Sequence, residues 1–182
     1  MHVTDKPVGQ LHWMLRPLFW LQRRRYGQHL EPAKIWARVP ALYLALAGFY
    51  AAIERRRSPI DAALRSLVQI RVSQVNHCAF CIDLNASLSA QRSGSLDKAL
   101  AVDHWRESEA FDTRERLVFE YAEAITRTDG QVTDVLIAGL RQHFDEAALI
   151  ELTALVAFQN LSSKFNAALD IPAQGFCRMP LS

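Results

Sequence analysis

Glycine and proline, seven of each in 182 residues, leave long tracts of this chain unpunctuated. Neither residue occurs from Ile60 to Ser93, from Ser95 to Asp129, or from Ala147 to Leu169. A sheet protein turns every few residues and needs such residues to do it, so these tracts favour helices. The last of them is closed by Ile171-Pro172, and the tail to Ser182 reads as irregular.

Helix boundaries can be placed from local chemistry. The basic and aromatic stretch Leu11 to Arg25 is limited by Pro17, and Pro32 and Pro40 precede helices at Ala33–Arg38 and Ala41–Glu54. Ser58-Pro59-Ile60-Asp61 reads as a helix start, with serine as the N-cap and proline at the first position. The helix it opens contains Val68-Gln69-Ile70-Arg71-Val72-Ser73, which alternates as a strand would. The cap, Ala62-Ala63-Leu64, and the spacing of Leu64, Leu67, Val68 and Val75 point instead to a largely buried helix. Asn76 is expected to cap a further helix, and Gly94-Ser95 breaks it. A short helix runs from Leu96 to about His104. Asp112-Thr113-Arg114-Glu115 is a capping box, which opens an amphipathic helix carrying Leu117, Val118, Tyr121, Ala122 and Ile125 on one face. Thr133 begins another, to about His143. The expected class is all-α, a bundle of about seven or eight helices in one domain.

Composition narrows the function. Half the residues are hydrophobic and the formal net charge is +2. That is enough apolar surface for a core and too little charge for a nucleic-acid binder. No apolar run reaches the roughly 18 residues needed to span a bilayer. The longest, Ala41 to Ile53, has the length of a core helix. The N-terminus lacks the charged-then-apolar order of a signal peptide, so a cytoplasmic protein is expected. The segment around Trp13, Trp20 and Arg23-Arg24-Arg25 reads as a helix on its own core or on a neighbouring subunit, ahead of a membrane-surface role.

Chemistry concentrates in Asn76-His77-Cys78-Ala79-Phe80-Cys81-Ile82-Asp83-Leu84-Asn85, which holds two of the three cysteines. Thiols spaced C-x-x-C on one helical turn can close a disulfide without reorganising the fold. At a helix N-terminus the free N–H groups and the macrodipole favour the thiolate, the nucleophilic and redox-active form. Three cysteines are too few for a secreted disulfide framework, and redox or metal chemistry in a reducing compartment is the better reading. A zinc site would need more ligands. Cys177, His104 and His143 show no metal-motif spacing, so no metal and no cofactor is expected.

The stretch Leu67 to Ser87, LVQIRVSQVNHCAFCIDLNAS, resembles the core motif of the AhpD-like alkylhydroperoxidase, or carboxymuconolactone decarboxylase-like, superfamily. Trp105-Arg106-Glu107-Ser108, Arg114-Glu115-Arg116-Leu117 and Tyr121 to Thr126 resemble the segment after that motif in its peroxidase-related members. The likeness is strongest from Ser58 to Gly130. It implies an N-terminal helical extension (1–57), a motif-bearing core (58–130) and C-terminal helices with a tail (131–182). It also implies an all-helical homo-oligomer in which Cys81 attacks a hydroperoxide and Cys78 resolves the sulfenic acid into a disulfide. An external dithiol, lipoyl- or thioredoxin-like, then reduces the pair. The family's decarboxylase branch, a lyase, lacks the cysteine pair. A third possibility of another class is a helical oligomerisation or binding protein that keeps the motif without turnover.

Two positions depart from the family pattern. Where the family carries its relay glutamate this chain has Ser66, and where it carries the relay histidine this chain has Asn85. Serine and asparagine form hydrogen bonds but do not exchange protons near neutral pH as Glu and His do. Helical spacing offers a substitute, because His77, Cys81 and Asn85 recur every fourth residue and would form one column. His77 is then expected to act as base or electrostatic partner for Cys81, and Asn85 to orient a water or the hydroperoxide. Asp83 falls on nearly the opposite side. Phe80 and Trp105 are expected to pack, Cys177 to be an inert thiol, and Arg65 and Arg71 to face solvent or a subunit interface.

Overall fold

The computed structural model describes residues 1–4 and 6–177. Among these residues the protein has nine α-helices and three short 3-10 turns, with no strand. The helices are α1 (Arg16–Tyr26), α2 (Glu31–Trp36), α3 (Pro40–Ile53), α4 (Ala62–Val75) and α5 (Ala79–Ser93). They continue as α6 (Asp97–Ala101), α7 (Thr113–Thr126), α8 (Asp134–Arg141) and α9 (Glu146–Ala168).

The bundle is built around α4. Every residue from Leu64 to Ser73 is buried, because α5, α7 and α9 all pack on this helix. A helix enclosed on all sides has no solvent face to alternate with its core face. This is why its sequence carries so little helical periodicity. Leu64, Val68 and Val72 meet Val118 and Ala122 of α7, Leu140 of α8, and Leu152, Leu155 and Val156 of α9 in the main core. On the other side Leu67 and Ile70 meet Ala86, Val102, Trp105 and Phe119. The N-terminal segment has a small core of its own, where Leu15 and Phe19 pack on Ala33, Ala37 and Tyr43.

Capping chemistry fixes most of the ends. The Asp112 carboxylate accepts the Glu115 N–H at 2.8 Å while Glu115 accepts the Asp112 N–H at 3.0 Å, completing the expected box. Thr133 caps α8 and Asp145 caps α9. At α4 the expected cap is corrected. The helix starts a turn later than Ser58, at Asp61, whose carboxylate accepts the Leu64 N–H at 2.8 Å. Ser58 instead donates to Glu151 of α9 at 2.8 Å. After α7 the chain turns back so tightly that a Cβ on Gly130 would run into the backbone of Ala124.

Arg65 and Arg71, expected at solvent or a subunit interface, are both buried. Arg65 donates to the Ile60 carbonyl at 2.6 Å and pairs with Glu54 at 3.7 Å. Arg71 donates to Glu123 of α7 at 2.7 Å. A buried guanidinium needs a carboxylate partner, and both partners lie outside α4, Glu54 just past the end of α3 and Glu123 in α7. No helix among the described residues is long and apolar enough to cross a membrane.

Candidate active site

Three residues, Asn76, His77 and Cys78, carry the chain from α4 to α5. Asn76 closes α4 rather than opening α5, which corrects the expected cap. Its amide donates to Asn160 and Ser163 of α9, both at 2.9 Å. The reversal is made at His77, whose φ of 53° lies in the left-handed region. Histidine is among the non-glycine residues that tolerate that region best. Cys78 then takes the N-cap position itself, and its sulfur accepts the Cys81 N–H at 3.2 Å.

This turn breaks the expected column. His77 lies outside the helix, its side chain is exposed, and it forms no hydrogen bond to either sulfur. Asn85 does lie one turn past Cys81 in α5 and is buried. Ser66 is buried too, but its hydroxyl accepts from Arg92 at 2.7 Å, and Arg92 in turn pairs with Glu54, which caps the end of α3. The serine at the relay position is thus committed to an ion cluster. It accepts from a guanidinium that stays charged at any pH of interest.

The sulfurs of Cys78 and Cys81 are joined as a disulfide, with their Cα atoms 5.3 Å apart. They are 1% and 3% exposed and are packed with Phe80 and Ile171, with Leu30, Ile35 and Phe176 at the edge. A cleft lined by Phe49, Ile53, Arg65, Glu151 and Leu155 includes neither cysteine. Asp83, on the far side of α5, accepts the backbone N–H groups of Gln174, Phe176 and Cys177 at 2.9, 3.1 and 2.7 Å. It therefore anchors the C-terminal segment to α5, with Phe176 at the edge of the cysteine cluster. Burial, and secondarily the Asp83 charge, push the Cys177 thiol above its ordinary value.

One residue that the spacing does not single out touches the site. Asn166, near the end of α9, donates its amide N–H to the Cys81 sulfur at 3.2 Å. It belongs to a buried polar row, Gln159, Ser163 and Asn166, recurring at helical spacing on a helix whose other buried residues are apolar. That row is the signal the sequence offers. Gln159 donates to Ser73 of α4 at 2.9 Å, so the row faces α4 and α5.

A second polar centre lies where α4, α7 and the Trp105 segment meet. Glu123 accepts from Arg71 Nε at 2.7 Å, Trp105 Nε1 at 2.9 Å and Arg106 Nη2 at 2.8 Å. Burial pushes its carboxyl up, but the hydrogen bonds from Arg106 and Trp105 and the charge of Arg71 outweigh this and hold it at about 2. No group of three or more His, Cys, Asp or Glu among the described residues is arranged to hold a metal ion.

Known proteins resemble this chain in both sequence and fold. Residues 40–124 match the carboxymuconolactone decarboxylase family. The uncharacterized protein YnjA of Escherichia coli (strain K12) is 48% identical over 174 residues, 96% of each chain. Among solved structures, an uncharacterized peroxidase-related protein from Silicibacter sp. TM1040 superposes with a TM-score of 0.85 at 19% identity, covering 95% of this chain and 92% of that one. The debrominase Bmp8, in a cysteine-to-alanine variant bound to 2,3,4-tribromopyrrole, gives 0.85 at 19% identity, covering 97% and 93%. At such identities the solved structures establish a shared fold.

Proposed function

Because this chain belongs to the carboxymuconolactone decarboxylase family, we propose that it works as the AhpD-like branch does, reducing hydroperoxides through a Cys78–Cys81 dithiol–disulfide cycle. The observation that carries this is the pair itself, bonded across 5.3 Å between Cα atoms at the head of α5. The Cys81 thiolate attacks the terminal oxygen of the hydroperoxide. A sulfur–oxygen bond forms, the O–O bond breaks, and the terminal OH stays on sulfur as a sulfenic acid while the alkoxide leaves and takes up a proton. Cys78, as thiolate, then attacks the Cys81 sulfur, and hydroxide leaves as water after protonation. Peroxide and dithiol have become alcohol, water and disulfide. An external dithiol in a reducing cytoplasm returns the pair by exchange.

The closed, apolar surroundings of the sulfurs support a small organic hydroperoxide rather than a bulky polar substrate. A protein reductant needs the C-terminal segment to lift first, since the sulfurs are almost wholly covered. Homo-oligomeric assembly is supported by α3, which exposes Leu42, Leu44 and Phe49 and contains no charged residue. Such a face is ordinarily covered.

A reading without turnover has one observation in its favour. Ser66 is tied to Arg92 and Asn85 has no titratable group, so neither supplies the family's proton relay. The test is consumption of an organic hydroperoxide with dihydrolipoamide or thioredoxin as reductant. The peroxidase requires turnover that Cys81→Ser abolishes, and a dimedone adduct on Cys81 in Cys78→Ser. Activity as a lyase would survive loss of both cysteines.

A further inference from the structure

The Cys81 sulfur is held by a side chain 85 residues further along the chain. Asn166 is 1% exposed and lies in the last turns of α9, and its amide nitrogen is 3.2 Å from the sulfur. The amide oxygen is buried and has no partner among the described residues. Turning the amide over would set its oxygen against a lone-pair-bearing sulfur, with no hydrogen between them. The nitrogen therefore faces the sulfur.

We infer that Asn166 is the hydrogen-bond donor that holds Cys81 as a thiolate and that its unpartnered oxygen receives the terminal O–H of the hydroperoxide. The disulfide sulfur is a weak acceptor, whereas a thiolate carries a full charge and binds a donor far more strongly. The contact is made in the oxidised form, and it gains most of its strength once the pair is reduced. That favours the charged form of a thiol whose burial opposes ionisation. Helix α5 gives Cys81 little comparable help. The backbone N–H of Cys81, in the first turn of the helix, donates to the Cys78 sulfur instead. The two sulfurs have separate donors, a backbone N–H for Cys78 and a side chain for Cys81.

The orphaned oxygen is the second half of the same device. A buried carbonyl without a donor costs free energy unless something fills the role, and it sits on the same amide as the nitrogen that touches the reacting sulfur. A hydroperoxide laid along that amide offers its terminal O–H to the oxygen and presents the same terminal oxygen to the thiolate. The O–H hydrogen stays with that oxygen when the O–O bond breaks, so Asn166 exchanges no proton. It does by orientation and charge stabilisation part of what an ionisable residue would do elsewhere.

The donor half of the assignment rests on the dithiol reading only in taking Cys81 as a working thiolate, and its test is read without peroxide; the oxygen half rests on the peroxidase reading itself. In a Cys78→Ser background, ultraviolet absorbance or the pH profile of alkylation gives the thiolate midpoint of Cys81. Asn166→Leu should raise that midpoint by about one unit, as loss of a charge-assisted hydrogen bond requires. Asn166→Asp should raise it further, because a carboxylate repels the thiolate. Sulfenic acid formation at neutral pH should fall about tenfold in the leucine variant and recover above the new midpoint. An unmoved midpoint in a variant whose helical circular dichroism matches the parent overturns the inference. If Asn166→Leu does not fold, the aspartate variant, nearly the same size, carries the same test. A shifted midpoint beside a wild type inert to hydroperoxides upholds Asn166 as the donor to the thiolate and overturns both the hydroperoxide role of its oxygen and the peroxidase reading.

Discussion

Phe176 stands edge-on to Phe80, the residue between the cysteines, with ring centroids 6.2 Å apart and planes 87° apart. This contact sets the C-terminal segment at the edge of the cluster that encloses the disulfide, and the Asp83 carboxylate pins that segment through three backbone N–H groups. Asp83→Ala should release it. The rate at which dithiothreitol reduces the pair, followed by thiol release, is expected to rise several-fold. An unchanged rate means that another element controls access.

His77 sits in the turn before α5 with its ring in solvent. His77→Ala should leave the thiolate midpoint of Cys81 where it is, in contrast to the Asn166 variants. A midpoint raised by both substitutions would restore His77 as an electrostatic partner of the thiol.

Glu123 gives the fold an acid-sensitive link. Its carboxyl is held at about 2, below the ordinary 4.5, so it binds a proton less readily folded than unfolded. The stability this contributes is fully present above about pH 4.5 and is lost as the pH falls through the folded value near 2. Replacement by glutamine should cost about 3 kcal/mol at neutral pH, because Arg71 is left buried without its partner charge. It should also flatten the acid limb of the stability profile. Urea denaturation between pH 2 and 7 measures both.

Cys177 should stay inert. Its thiol is pushed up by burial and by Asp83, so at neutral pH it is almost wholly protonated and a poor nucleophile. Alkylation of the reduced protein with iodoacetamide, read by peptide mass spectrometry, should mark Cys177 only slowly at neutral pH, although it is the most exposed of the three cysteines.

The apolar surface of α3 predicts its own variant. Leu44→Glu places a charge on the exposed half of α3, whose opposite edge carries Leu42 and Phe49. It should lower the assembly state seen by analytical ultracentrifugation while the helical content stays the same. A wild type that sediments as a monomer removes the basis for a self-association surface there.

Much of this architecture can be read from the chain because it is written locally. The capping box of α7, the threonine before α8 and the uninterrupted α9 are chemistry within a few residues, and each lies where local rules place it. What escapes is long-range. Arg65 and Arg71 look like surface residues until Glu54 and Glu123 arrive from outside α4 to neutralise them. The column through His77 fails at one residue, because helical spacing assumes a helix and a non-glycine residue at φ 53° gives no warning in its sequence. Asn166 is hidden among the polar residues of a long helix. Only packing against α5 shows which of them meets sulfur.

The cap of α5 is also one of the two sulfurs that the proposed cycle oxidises. A charged sulfur holds the Cys81 amide hydrogen more firmly than a bonded one, so electron transfer at Cys78 retunes the first turn of the helix. Deuterium uptake at that single amide should therefore track the redox state, a built-in gauge read from the backbone rather than from the thiols.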